Sequence, residues 1–97
     1  MENVFEVNDK SRRKIRLTKK QWKHVLSKRS YMSHYLDEIN NILKNPLKIV
    51  AREFGNISDY YGYFKNIKEK SKYLKIAVKY LNGDGFVITA YFVRNIN

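Results

Sequence analysis

Hydrophobic positions along the chain change their spacing near Pro46. Before that proline, apolar residues recur at intervals of three and four, the period of an amphipathic helix. After it, apolar and polar residues alternate, which indicates strands with one buried face. The sequence therefore predicts a helical first half and a second half built from strands.

The first helix is predicted to begin after Thr18. This threonine stands three residues before Gln21, the spacing of a capping box, and apolar residues follow at helical intervals: Trp22, Val25 and Leu26. Ahead of the helix, residues 14–17 alternate and predict a brief extended segment. Residues 1–10 are interpreted as a polar N-terminal arm.

A second helix is predicted over residues 31–44. Its apolar residues form one stripe made of Tyr31, Tyr35, Leu36, Ile39, Ile42 and Leu43. Asn45-Pro46 ends this helix, because the residue before a proline disfavours helical backbone.

Four strands are predicted in the second half, over residues 47–52, 60–65, 72–81 and 86–93. Gly55-Asn56 is expected to turn the first strand into the second, and Asn82-Gly83 is a strong hairpin signal between the last two. The elements predict a single α+β domain over residues 1–97. In it, N-terminal helices (mainly within 11–45) pack on a four-stranded antiparallel sheet (46–97).

Alternation in the strands also predicts what each face of the sheet carries. Leu74, Ile76 and Val78 are expected to face the helices. The opposite face is expected to carry Tyr73, Lys75, Lys79, Thr89 and Tyr91. An uncovered sheet face lined with lysine and tyrosine would suit RNA, because cations attract phosphates and aromatic rings stack on bases.

Charge strengthens the expectation of an anionic partner. The formal net charge is +11, and residues 10–29 hold ten Lys or Arg and no acidic residue. Such an excess points to nucleic acid, an anionic membrane or an acidic protein. No apolar run approaches the ~20 residues needed to cross a bilayer, and the start lacks a signal-peptide pattern. These features predict that the chain is not membrane-bound. The absence of cysteine suits a reducing environment, so a cytoplasmic location is expected.

The acidic residues are too scattered to predict a metal site, so neither metal nor cofactor is expected. RNA cleavage can proceed without metal, because the ribose 2′-hydroxyl is itself the nucleophile. The protein then has to move protons and stabilise the phosphorane, and His, Lys, Arg, Thr and Tyr can do both. His24 is a candidate base or acid, although a lone helical histidine is commonly solvated. His34, on the predicted second helix, is interpreted as an exposed helix residue.

Several short motifs resemble the barnase/EndoU/colicin/RelE-like (BECR) nucleases, especially their branch associated with phages and mobile elements. The motifs are Ile15-Arg16-Leu17-Thr18, Trp22-Lys23-His24-Val25-Leu26, Lys79 and Val87-Ile88-Thr89-Ala90-Tyr91. In that branch the first helix opens with a pattern like Trp-x-His-Ile-Leu, and the last strand reads like Val-Thr-Ala-Tyr. The likeness spans roughly residues 14–95.

This resemblance implies metal-independent RNA cleavage, often of tRNA, by toxins that an antitoxin or immunity protein inhibits. By position, His24 matches the helix histidine of the family, and Thr89 and Tyr91 match its terminal-strand pair. Lys79 lies where the penultimate strand tends to carry a basic residue. The chain departs from the family at Arg29, which stands where a His-Pro-Glu group is expected; an arginine can stabilise a phosphorane but does not shuttle protons at neutral pH.

The leading hypothesis is therefore a toxin-like, metal-independent endoribonuclease. Its catalytic candidates are His24, Arg29, Lys79, Thr89 and Tyr91. Its RNA-binding candidates are Arg12, Arg13, Lys14, Arg16, Lys19, Lys20, Lys23, Tyr73 and Lys75. Two alternatives are a non-catalytic RNA- or DNA-binding module, and a partner of an acidic antitoxin or immunity protein.

Overall fold

A computed structural model describes residues 2–96 of the chain. The strands are β1 (Asn3–Asn8), β2 (Lys14–Thr18), β3 (Lys48–Ala51), β4 (Ile57–Tyr63), β5 (Tyr73–Leu81) and β6 (Asp84–Val93). Two α-helices, α1 (Lys19–Lys28) and α2 (Leu36–Lys44), follow β2, with a 3-10 helix (Ser30–Tyr35) between them.

All six strands form one mixed sheet in the order β1-β2-β6-β5-β4-β3. β2 runs parallel to β6, and every other neighbouring pair is antiparallel. The predicted fold is therefore wrong: the sheet has six strands rather than four, it is not purely antiparallel, and two strands precede the helices.

The error arose at the N-terminus, where residues 3–8 form a strand. Polar residues fill half of β1, but Phe5 and Val7 pair with Leu17 and Ile15 across the hairpin with β2. Those two β2 partners are fully buried. The pairing of β2 with β6 joins residues about seventy positions apart, through Ile15–Gly85 and Arg16–Phe86. Local periodicity contains no information on such a distant contact.

The start of the first helix is confirmed, since the Thr18 hydroxyl accepts a hydrogen bond from the Gln21 amide at 3.1 Å. The predicted second helix is correct only from Leu36 onward. Before that residue the backbone tightens into the 3-10 helix, which places Met32 and Tyr35 in the core.

Turns in the second half follow the glycine signals. Gly55 and Asn56 have positive φ values of 82° and 54°, and Asn82 and Gly83 have values of 53° and 86°. Both asparagine–glycine pairs thus adopt left-handed backbone, which suits tight turns between antiparallel strands. The strand predicted over 60–65 begins earlier, at Ile57.

The helices cover one face of the sheet, as predicted. Leu74, Ile76 and Val78 of β5 have no exposed surface, and they pack against Val25, Ile39 and Leu43 in one core. The neighbouring core positions on β6 are Ala90 and Val87. Among residues 2–96, no helix is long and apolar enough to cross a membrane.

Candidate nucleic-acid interface

The sheet face opposite the helices, here called the open face, carries side chains in rows that follow the strand pairing. The Tyr91 row contains Lys48, Tyr61, Lys75 and Tyr91. On one side lies the Thr89 row of Val50, Asp59, Ala77 and Thr89, and on the other the Tyr73 row of Tyr63, Tyr73 and Val93. Adjacent rows are about 7 Å apart, because two strand residues separate them.

Two cations converge on the ring of Tyr91. The Arg29 guanidinium carbon lies 4.7 Å from the ring centroid, and the Lys75 ammonium lies 5.5 Å from it. Arg29 reaches this position from the C-terminal cap of α1. Cation–π attraction of this kind holds the two charges near each other despite their mutual repulsion.

A buried carboxylate organises the cations beside this row. Asp59 accepts hydrogen bonds from Arg52 at 2.9 and 2.8 Å, a bidentate pair, and lies 3.9 Å from the Lys75 ammonium. The hydrogen bond to Asp59 raises the pKa of Arg52. This part of the open face therefore retains an excess of positive charge, because three cations (Arg29, Arg52 and Lys75) accompany one carboxylate (Asp59).

Lys75 remains protonated at neutral pH. Burial alone would lower its pKa, but hydrogen bonding to Tyr91 and the negative charge of Asp59 outweigh burial and raise the pKa. Its side chain is 20% exposed, so the ammonium can still meet a ligand from solvent. Lys75 can thus stabilise an anion but is unsuited to act as a base.

β6 pairs with β2 only through Gly85 and Phe86, and helix α1 lies alongside the following part of β6. The Gln21 amide donates to the Ile88 carbonyl at 2.5 Å, and Arg29 contacts Tyr91 at the other end of the helix. Ile88 is left out of the β5 register by a bulge, and its carbonyl accepts this side-chain hydrogen bond instead.

His24 lies between these two anchors on α1. It is one helical turn beyond Gln21 and exposed, and within residues 2–96 its imidazole makes no hydrogen bond or ion pair. His24 is thus an exposed side chain on the helix whose Gln21 and Arg29 contact β6.

The other catalytic candidates divide between rows. Thr89 lies on the open face one row from Tyr91, opposite Ala77. Lys79 is on the same face and exposed, but it pairs with Phe86, roughly 13 Å along β5 from Lys75. The structure thus places Lys75, rather than Lys79, in contact with Tyr91.

Several predicted RNA-binding cations are already paired with carboxylates. Arg13 pairs with Asp9 and lies over the Tyr80 ring at 4.2 Å, while Arg16 contacts both Glu6 and Asp84. The remaining pairs are Lys14–Glu6 and Lys19–Glu2. Arg12, Lys20 and Lys23 have no carboxylate within 4 Å among the residues described, and all three are exposed.

His34 is separate from the open face. It is exposed on the 3-10 helix and lines a pocket with Tyr35 and residues 66–69. Tyr35 itself packs edge-on against Phe92, on the helix-covered side of the sheet. His34 therefore lies in a different part of the molecule from the Tyr91 row.

Three residues of the open face were not among the predicted site residues: Arg52, Asp59 and Tyr61. The position of Asp59 could have been predicted from the sequence. It lies two residues before Tyr61 in a strand rich in aromatic residues, so the two side chains point to the same face of the sheet. Tyr73 was assigned correctly to this face, where its ring centroid lies 5.0 Å from that of Tyr63.

No group of three or more His, Asp or Glu side chains that could hold a metal ion occurs within residues 2–96. No family model, curated protein or solved structure matches the chain. The likeness to BECR nucleases therefore depends on the short motifs in β2, α1, β5 and β6.

Proposed function

We propose that this protein is a metal-independent endoribonuclease that binds RNA across the open face. The observation that carries the proposal is the convergence of Arg29 and Lys75 on Tyr91, one row from Thr89. Two fixed cations beside two hydroxyl groups form a site suited to a phosphodiester. The motif likeness to BECR nucleases supports the same proposal.

The reaction would begin with attack of the ribose 2′-oxygen on phosphorus, while His24 accepts the 2′-hydroxyl proton. Arg29 and Lys75 would stabilise the added negative charge of the phosphorane, and Thr89 would donate a hydrogen bond to a phosphate oxygen. As the bond from phosphorus to the 5′-oxygen breaks, Tyr91 would protonate that oxygen. The products are a 2′,3′-cyclic phosphate and a free 5′-hydroxyl; solvent then reprotonates Tyr91 and accepts the proton from His24.

A second candidate is RNA binding without cleavage. It is favoured by the exposed imidazole of His24, for which the residues described provide no hydrogen bond to fix its tautomer or orientation. In this case affinity would come from phosphate contacts and would fall steeply with added salt.

The two candidates are distinguished by incubating purified protein with total RNA in EDTA. The nuclease proposal expects fragments with 2′,3′-cyclic phosphate ends, and a rate lower by about 10²–10⁴-fold for His24→Ala. His34→Ala is the matched control, because it removes an exposed histidine outside the site. Intact RNA in the presence of tight binding would replace this proposal with the second candidate.

We also propose a cytoplasmic location, where RNA is available, and an acidic inhibitor protein as a partner. The charge of +11 supports a partner of opposite charge. Growth arrest on expression of the wild-type chain, but not of His24→Ala, would support the toxin role. Equal growth of both strains at equal protein levels would contradict it.

A further inference from the structure

Tyr63 and Tyr73 form an aromatic pair at one end of the open face. They are direct partners across β4 and β5, with ring centroids 5.0 Å apart and planes inclined by 55°. Tyr63 is 50% exposed, whereas Tyr61, two residues earlier on the same face of β4, is 4% exposed. Packing within the sheet thus accounts for Tyr61 but leaves much of the Tyr63 ring in solvent.

Cations surround this aromatic pair. Tyr63 and Tyr73 line one pocket together with Lys70, Ser71, Lys72 and Arg94, and this lining includes no carboxylate. The Lys72 ammonium donates to the Ile67 carbonyl at 2.6 Å, which engages it within the protein. Lys70 and Arg94 are exposed and available to contact a phosphate.

The pair lies next to the proposed phosphate site. Tyr73 precedes Lys75 by two residues on the same face of β5, so the Tyr73 row is about 7 Å from the Tyr91 row. One extended nucleotide can span such a distance. A phosphate held by Arg29 and Lys75 would therefore place a neighbouring base over Tyr63 or Tyr73.

We propose that Tyr63 and Tyr73 stack an unpaired base of single-stranded RNA, while Lys70 and Arg94 contact its phosphate. This inference rests on the proposed function, since it names the substrate class of the same face. Stacking requires an accessible ring face, which a base within a duplex does not offer. The substrate is thus single-stranded at the nucleotide adjacent to the bound phosphate.

The test measures the binding of two fluorescent probes whose 2′-oxygens are methylated, which prevents cleavage. One probe is an RNA octamer, and the other is an abasic chain with the same phosphates. Tyr63→Ala and Tyr63→Leu should weaken octamer binding by about 5- to 100-fold, whereas Tyr63→Phe should bind like wild type. Abasic binding should not change in any of these variants. The leucine variant retains apolar bulk, so its weaker binding would identify the lost ring as the cause.

Phe54→Ala is the control, because Phe54 is a 78% exposed aromatic residue outside this pocket. It should leave both affinities unchanged, whereas Arg94→Gln should weaken both probes alike. Octamer affinity within twofold of wild type for Tyr63→Ala, or an equal loss for both probes, would overturn the stacking site. Neither probe can be cleaved, so this binding test is independent of nuclease activity. A protein that binds the octamer more tightly than the abasic chain but does not cleave RNA would contradict the proposed nuclease function and support the stacking site.

Discussion

Among substitutions of acidic loop residues by alanine, Asp9→Ala should cause the largest loss in the free energy of unfolding. The Asp9 side chain is 1% exposed, in the loop between β1 and β2. Its carboxylate accepts hydrogen bonds from the backbone amides of Ser11 and Arg13, both at 2.9 Å, and from the Tyr60 hydroxyl at 2.8 Å. One residue thus fixes the loop and closes a polar network over the sheet.

The expected loss follows from the donors that would be left without an acceptor. The Tyr60 hydroxyl would keep its contact with Tyr80, but the amides of Ser11 and Arg13 would lose their partner. Each of these part-buried donors left unsatisfied costs about 1–3 kcal/mol, and the lost pairing with the Arg13 side chain adds to this. The total is about 3–5 kcal/mol, a large part of the ~5–15 kcal/mol typical of a small domain.

Urea unfolding followed by far-UV circular dichroism measures this change in the free energy of unfolding. The melting temperature should fall by at least about 12 °C, since 1 kcal/mol corresponds to about 4–8 °C at this size. Glu53→Ala is the control, because Glu53 is exposed on the loop after β3. A loss below about 1 kcal/mol for Asp9→Ala would mean that water satisfies these donors equally well, and the reasoning would be refuted.

Acid titration gives an independent check on the same residue. Burial alone would raise the pKa of Asp9, but hydrogen bonds from Arg13 and Tyr60 outweigh burial and lower the pKa. A lowered pKa contributes stability above the unfolded-state value near 3.8, and this stability is lost as pH falls through the folded-state value. The stability of the wild type should therefore decline more steeply below about pH 4 than that of Asp9→Ala; parallel curves would contradict this assignment.

Two further predictions concern the sheet. Gly62→Ala should lower the free energy of unfolding by about 1–3 kcal/mol through overpacking, because a Cβ atom there would lie 2.4 Å from Ile42 Cγ1. In urea unfolding, adding Ile42→Ala to this variant should restore part of the loss. If the losses of the two substitutions simply add, the clash is contradicted. Asp59→Asn should lower stability by about 1–3 kcal/mol through its weakened Arg52 bonds, yet raise affinity for the 2′-O-methyl octamer, because the open face loses its negative charge. Weaker octamer binding by a folded Asp59→Asn would show that Asp59 is needed mainly to position Arg52 and Lys75.

Local sequence determined the individual elements with useful accuracy. The Thr18 cap, the asparagine–glycine turns and the alternation in β5 depend on interactions within a few residues, and the structure has all three. Alternation also assigned Tyr73, Lys75 and Tyr91 to one face, because successive strand side chains point to opposite sides regardless of the partner strand.

Tertiary structure alone decided the strand order and the composition of the candidate site. The parallel pairing of β2 with β6 joins distant segments, and nothing in the local pattern of residues 3–8 or 14–18 specifies that partner. The same docking lets α1 lie along β6, which brings Arg29 onto Tyr91. Asp59 came into contact with Arg52 and Lys75 for the same reason, since charges on separate strands meet only when the sheet register is fixed.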